Sequence, residues 1–296
     1  MAQYSIKELE HLSGIKAHTI RIWEQRYRIL SPKRTETNIR YYDDADLKTI
    51  LNISVLNEHG YKISKIAQML HQELAEAVEQ LSQQRVPNSQ RLNALLLAMI
   101  EMDEERFDRL LTTIIIQKGL EQTMLEVICP LLIKVGILWQ TGSIRPAQEH
   151  FVSNIIRQKL FVAIDGQVPV SRVASTRFLL FLPEGELHEI GILFSYYILR
   201  KRGHHVLYLG QHLPLSDVET TVQSYQPHYI CTAFTVIPER DQVQKYIRHL
   251  AELAPDVIIF VGGQQAQHQE LIFPENLVRV STLPHFIELI DKQNKQ

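Results

Sequence analysis

From Arg177 onward, short apolar runs alternate with longer amphipathic segments, and a chain patterned in that way folds as a parallel α/β sheet. The apolar runs are Phe178–Leu182, Val206–Leu209, Tyr229–Thr232, Val257–Val261 and Val278–Val280. Between and after them, Ile190–Lys201, Ser216–Ser224, Glu239–Leu253, Gln265–Ile272 and Pro284–Lys292 have helical length and pattern. Right-handed crossovers then give a doubly wound sheet of order 2-1-3-4-5. Sheets of this kind bind ligands beyond the carboxyl ends of their strands. The first such loop places His188 two residues after Glu186 and three before Gly191. A loop histidine there faces the pocket rather than the core. Neutral imidazole is a good ligand for a borderline transition metal, and a carboxylate two residues away is placed to orient it. Gly262-Gly263, after the fourth strand, would let a ligand approach the backbone. Taken singly, the glycine pair also suits an ordinary turn, and His188 an exposed polar loop.

The other end of the chain is patterned differently. Ser5-Ile-Lys-Glu-Leu-Glu-His-Leu12 reads as a short helix with Ser5 as N-cap and Glu8 three residues on, a capping box. Ser13-Gly14 breaks it, and a second helix is expected over Ala17–Tyr27, with Ile20 and Trp23 facing inward. Two short helices joined by a Gly-containing turn make a helix-turn-helix. Lys16, His18, Thr19, Arg21 and Arg26 lie at its start or on its polar side. The turn-rich Ser31–Tyr42 stretch, which contains Arg34, Arg40 and Tyr41, reads as a wing. Across residues 1–42, eight Lys and Arg stand against four Glu, in a chain whose net charge is only −2. A local basic excess suits DNA phosphate. The same side chains would also serve a merely solvated face.

Between the two ends, Leu92, Leu95, Leu96, Met99, Leu110, Leu111, Ile114 and Ile115 form apolar stripes at helical spacing. Thr123–Trp139 continues the pattern apart from Pro130, Gln140-Thr-Gly-Ser143 breaks it, and Pro146 suits the first turn of a further helix. About four helices, a small bundle, account for this segment. Trp139 ends one of them, and Glu149-His150 follows ten residues later. A helix-end Trp is more often core and a Glu-His pair more often surface, so the spacing alone decides nothing. The expected organisation is a winged helix-turn-helix over 1–75, a linker over 76–90, a helical bundle over 91–170 and a doubly wound α/β domain over 171–296. Cys129 and Cys231 are too few for a disulfide framework, which points to a reducing, cytoplasmic setting. No uninterrupted apolar run approaches membrane-spanning length, and the N-terminus lacks a secretory h-region.

These residues also carry resemblances. Tyr4-Ser-Ile-Lys-Glu-Leu, Ser13-Gly-Ile, Thr19-Ile-Arg-Ile-Trp-Glu and Arg34 through Arg40-Tyr-Tyr resemble the MerR-type winged helix-turn-helix over about residues 3–70. The resemblance implies that Thr19 and Arg21 belong to a recognition helix, and that Arg34, Arg40 and Tyr41 meet the DNA backbone. Lys16 stands where the family commonly has a Ser or Thr cap, a change that weakens the cap and adds charge. MerR proteins dimerise through a long coiled coil near residues 75–120, but Gln83–Gln90 is polar and interrupted by Pro, so dimer contacts are expected elsewhere.

Glu186-x-His188-x-x-Gly191, then Thr232-Ala-Phe234 beginning 41 residues after Gly191, then Gly262-Gly263 after 27 more residues, resemble the cobalamin-binding domain of corrinoid-dependent proteins. Glu186 replaces the commoner Asp, while Thr232 and Phe234 replace Ser and Leu. Head, bundle and cobalamin domain in this order are similar to the CarH/LitR class of light-sensing transcriptional regulators. That resemblance implies His188 as the lower ligand of cobalt in adenosylcobalamin. It implies Trp139 on the 5′-deoxyadenosyl group, with Glu149 and His150 at its polar edge. It further implies a homo-oligomer, dimer or tetramer, that grips a double-stranded operator in the dark and lets go when light removes the adenosyl group. Gln140 stands where the best-known members have a second cobalt-capturing histidine, which puts a bis-histidine photoproduct in question and leaves His150 as the substitute. Two rival readings remain: a cobalamin-independent MerR-type regulator, and a corrinoid carrier component of a methyltransferase.

Overall fold

The computed structural model describes residues 3–35, 38–58, 60–70, 73–74, 77, 88–167, 176–236, 240–268 and 270–293, which fall into two units, Met1–Ile155 and Ile156–Gln296. In the first, α1 spans Ile6–Ser13 and α2 Ala17–Tyr27. The expected capping box is present: Glu8 N–H donates to Ser5 Oγ at 3.3 Å and Ser5 N–H to Glu8 Oε2 at 2.6 Å. Gly14, at φ 75°, ends α1 in the left-handed conformation that glycine adopts at least cost. Lys16 makes no side-chain cap on α2. Glu10 of α1 supplies one instead, accepting the Ala17 N–H at 3.1 Å and pairing with Lys16 Nζ at 3.0 Å.

The wing is a two-stranded antiparallel ribbon, β1 (Lys33–Arg34) and β2 (Arg40–Tyr41). Tyr4 extends it through reciprocal backbone hydrogen bonds with Tyr42 at 2.8 and 2.9 Å. α3 (Asp44–Glu58) and α4 (Ile63–Ile66) complete the head, where Ile53, Leu56 and Ile66 pack with Ile15 and the half-buried Trp23. Ile20 is fully buried, as its inward position requires.

Four helices follow: Asn88–Glu101, Glu104–Lys118, a continuous run from Leu120 to Gln140, and Pro146–Asp165. Asn88–Gln90 had read as the end of the linker over 76–90, but they form a first helical turn in which Gln90 is buried; residues 76 and 78–87 of that stretch lie outside the described residues. The run from Leu120 passes Pro130 unbroken because Met124–Ile128 is a π turn, with the Cys129 N–H donating to Met124 O. A widened turn gives the pyrrolidine ring the room that an α turn denies it. Among the described residues, Leu120–Trp139 alone is long and apolar enough by composition to cross a membrane; here Leu131, Val135 and Leu138 are buried in the bundle. Within this unit, head and bundle are pinned together. Lys134 Nζ donates to Leu12 O at 2.7 Å, the buried Ser143 hydroxyl to Glu8 Oε1 at 2.6 Å, and Lys48 pairs with Glu101 at 3.2 Å.

The second unit contains the parallel sheet, with β3 (Arg177–Leu180), β4 (His205–Tyr208), β5 (Tyr229–Ala233), β6 (Ile258–Gly262) and β7 (Leu277–Arg279) in the order β4-β3-β5-β6-β7. This is the doubly wound 2-1-3-4-5 arrangement. Both faces are covered, so the strands read as nearly continuous apolar runs. Leu179, Phe181, Ile230, Phe234, Ile259 and Val261 pack with Val243, Ile247 and Leu250 of the Arg240–Leu253 helix. Elsewhere, Phe178 stacks on Tyr229 at 4.8 Å and Phe260 meets Phe286 edge-on at 6.0 Å. The helix expected over Gln265–Ile272 spans only Gln264–His268. Ile272 instead uses its backbone N–H and C=O on the Gln244 side chain, at 2.8 and 2.9 Å.

Candidate functional site

β3 is flanked by β4 and β5, and the segment that leaves its carboxyl end carries the Glu186–Gly191 motif. Glu186 is completely buried. Its Oε1 accepts the His188 N–H at 2.9 Å and lies 2.8 Å from His188 Nδ1. Its Oε2 accepts the backbone N–H groups of Thr235 and Val236, just beyond β5, at 2.5 and 3.0 Å. Burial alone would raise the Glu186 pKa, but hydrogen bonds from the His188 ring and from the His188, Thr235 and Val236 amides overcome it and bring it to about 2. Glu186 is therefore a carboxylate at neutral pH, and it engages the Nδ1 edge of the imidazole. A ring oriented through Nδ1 presents Nε2 as its metal-binding nitrogen, and the His188 side chain is 56% exposed. Among the described residues no cluster of three or more His, Cys, Asp and Glu could hold a metal ion. A metal bound at His188 must bring its other ligands with it.

Thr232, at the end of β5, is buried, and its hydroxyl has no hydrogen-bond partner. An unpaired buried hydroxyl is costly. Gly263 has φ 89°, and a Cβ there would lie 2.3 Å from the carbonyl oxygen of Phe234. Only glycine lets the β6 exit close onto the β5 exit, where Gln265 N–H donates to Phe234 O at 2.9 Å. Gly262 is the last residue of β6, and Gly191 is exposed with open space where its Cβ would stand. Phe234, in place of a Leu, is buried and packs edge-on against Tyr246 at 5.4 Å.

Several contributors escaped the sequence reading. Glu189, directly after His188, is buried and pairs with Arg157 Nη2 at 2.5 Å while accepting the Tyr208 hydroxyl at 2.6 Å. Burial and that hydrogen bond raise the Tyr208 pKa well above the ordinary phenol value, so the group stays a donor. The loop after β4 braces the motif: Gly185 N–H donates to His212 Nδ1 at 2.9 Å and Gln211 Nε2 to Leu187 O at 2.7 Å. These partners are scattered along the chain and form no motif.

In the first unit, Trp139 is not a core residue: the indole is 55% exposed at the last turn of its helix. On the Pro146–Asp165 helix, Glu149 Oε2 lies 2.8 Å from His150 Nδ1, and Ser153 Oγ donates to Glu149 Oε1 at 2.5 Å. His150 is 73% exposed. All three present polar or aromatic surface outward.

In the head, His18, Arg21 and Arg26 are exposed on α2 and Thr19 is partly so. Arg26 also lies over the Tyr27 ring at 5.4 Å. Arg34 stands opposite Arg40 on the wing ribbon. Like charges placed so repel, which an anion between them would relieve. Arg34 donates to Asn38 Oδ1 at 2.5 Å, and Arg40 Nε lies 3.4 Å from Glu24. Arg40 and Tyr41 are half-buried rather than fully presented, while Lys16 is largely exposed despite its pairing with Glu10.

The family models that match are MerR HTH family regulatory protein over residues 4–73 and B12 binding domain over residues 91–163 and again over 176–279. The HTH-type transcriptional repressor CarH of Myxococcus xanthus is 29% identical over 285 residues, 94% of each chain. The repressor CarA of the same organism is 24% identical over 273 residues, 90% of this chain and 89% of its own. Among solved structures, the monomethylamine corrinoid protein of Methanosarcina barkeri shares the fold, with a TM-score of 0.57 at 13% identity over 70% of this chain and all of its own.

Proposed function

We propose that this chain is a MerR-type DNA-binding regulator with B12-binding domains, a regulator rather than an enzyme, with adenosylcobalamin as its effector and light as the signal that reverses the effect. The observation that carries this reading is His188, with Nδ1 held by the buried Glu186 carboxylate at the carboxyl end of β3. An imidazole so oriented would hold the cobalt of a corrin, which carries its other donors itself. The unpartnered Thr232 hydroxyl fits a displaced nucleotide base, and Gly262-Gly263, without side chains at the end of β6, would let its tail come close to the backbone.

Trp139 offers the adenosyl group an exposed indole, and Glu149 with His150 offers hydrogen-bonding groups for its polar edge. When bound, the cofactor supplies a cobalt–carbon bond that light breaks, so the nucleoside is present in the dark and lost on illumination. An oligomer surface that depends on the occupied bundle then assembles in the dark and falls apart in light. Moving such an equilibrium from 99:1 to 1:99 takes about 5.5 kcal/mol of differential binding, within reach of a buried purine stack and its hydrogen bonds.

Each copy contributes one head. Thr19 and Arg21 read base edges from α2, while Lys16, His18, Arg26, Arg34, Arg40 and Tyr41 hold phosphate. Several heads on one operator raise the effective concentration of each and turn weak single contacts into tight binding. The test mixes the purified full chain with adenosylcobalamin in the dark, and follows visible absorbance and mass by light scattering before and after illumination. The proposal expects uptake, a larger assembly in the dark and its loss in light, with no uptake by His188→Ala. A wild-type chain that takes up no cobalamin, or a His188→Ala variant that binds as well, refutes it. Dark assembly that survives Trp139→Ala removes that side chain from the adenosyl site.

A further inference from the structure

Glu189 occupies the N-cap position of the Ile190–Lys201 helix, yet its side chain makes no capping hydrogen bond. A carboxylate at that position normally accepts an N–H from the first turn. This one is turned elsewhere, into the ion pair with Arg157 at 2.5 Å and the hydrogen bond from Tyr208 at 2.6 Å, and it is buried. His188 thus lies between two buried carboxylates with different anchors. Glu186 is tied to the exit of β5 through Thr235 and Val236. Glu189 is tied to Tyr208, the last residue of β4. Since β4 and β5 flank β3, the two anchors hold the histidine loop from both sides. The other partner of Glu189, Arg157, lies on the Pro146–Asp165 helix.

We propose that Glu189, held by Arg157 and Tyr208, is a positioning residue for His188, fixing the exit of the loop as Glu186 fixes its entry. The inference rests on the reading of His188 as a cobalt ligand. Partners that aim a metal-binding histidine change metal affinity by about 10–100-fold when removed, and the same range is expected here.

The experiment labels the full chain with ¹⁵N-histidine, loads it with hydroxocobalamin, reduces the complex to cob(II)alamin and records its electron paramagnetic resonance. Coordination by His188 splits the lines in two through the ¹⁵N nucleus. Coordination by the cofactor's own ¹⁴N base splits them in three. Wild-type protein is expected to give the two-line pattern. Glu189→Gln and Arg157→Met are expected to shift toward the three-line pattern and to need about 10–100-fold more cobalamin for half-saturation. Arg157→Lys, which keeps the charge, is expected to recover most of the two-line signal. Should Glu189→Gln fail to fold, Tyr208→Phe removes one hydroxyl only and is expected to move the pattern the same way by less. If these variants keep the wild-type splitting and affinity, or if Arg157→Lys loses as much as Arg157→Met, the positioning role is overturned while the cobalt-ligand reading stands. A wild-type chain that takes up no cobalamin overturns both.

Discussion

Replacing Glu186 with Gln removes one negative charge and almost no volume. The carboxylate now accepts from three backbone N–H groups and contacts one imidazole nitrogen. An amide has one acceptor oxygen, so its NH₂ must confront either the Thr235 and Val236 donors or the His188 pair. The fall of the carboxyl pKa from 4.5 to about 2 corresponds to about 3 kcal/mol in favour of the charged form over the neutral one. Loss of charge-assisted bonds with donors left unpaired gives a similar cost, about 2–4 kcal/mol. The folded-state pKa is depressed, so this contribution is fully present above pH 4.5 and is lost as pH falls from there toward about 2. Urea unfolding followed by far-UV circular dichroism should therefore show the variant destabilised at pH 7 and the gap narrowing as pH falls below 4.5. Amide exchange at Thr235 and Val236 should quicken in the variant at pH 7. Equal stability at pH 7, or a gap that widens on acidification, would refute the claim that a buried carboxylate organises this loop.

Other substitutions separate architecture from ligand binding. Thr232→Val removes the unpartnered hydroxyl at nearly constant shape, so the cobalamin-free protein should gain about 1 kcal/mol or more in thermal unfolding while cobalamin titration shows weaker uptake. Gly263→Ala forces a Cβ to within 2.3 Å of the Phe234 carbonyl oxygen at φ 89° and should cost more than about 2 kcal/mol in urea unfolding. Gly191→Ala, whose Cβ meets nothing within 4 Å, should leave stability unchanged. The Glu8 pKa is lowered because hydrogen bonds from Ser143, Thr141 and Ser5 outweigh its burial. Its contribution to α1 is therefore present above the ordinary carboxylate range and lost as pH falls through it. Protection of the Ser5 amide, measured against its intrinsic exchange rate, should fall on acidification, and Glu8→Gln should flatten that dependence.

The sheet was legible because strands buried on both faces leave uninterrupted apolar runs such as Phe178–Leu182, and the helices between them are long enough to show their period. α2 was legible for a related reason: Ser13-Gly14 closes α1 and separates the two helices, and Ile20 and Trp23 set the inner face of α2. Glu186, His188 and Gly191 stood out as candidates because they are close in sequence, and Thr232 and Gly262-Gly263 because they lie at strand ends. Glu189 had no such signal. Its partners, Arg157 and Tyr208, come from 32 residues before and 19 after it, and only the fold brings them together. For the same reason the rescue of the Lys16 cap by Glu10 could not be read from the residues beside Lys16. The π turn that carries the chain past Pro130 is a backbone event with no residue pattern of its own. Asn88–Gln90 looked like linker because they are polar, yet Gln90 is buried in the bundle.

The central claim is that a corrin held by His188 sets the grip on DNA. Operator binding measured by fluorescence anisotropy, with adenosylcobalamin added in the dark and again after illumination, tests it most directly. The account predicts tight binding in the dark, weak binding once the same sample is illuminated, and no response to either in His188→Ala. Operator affinity that is the same with and without adenosylcobalamin, in darkness and in light, would contradict it.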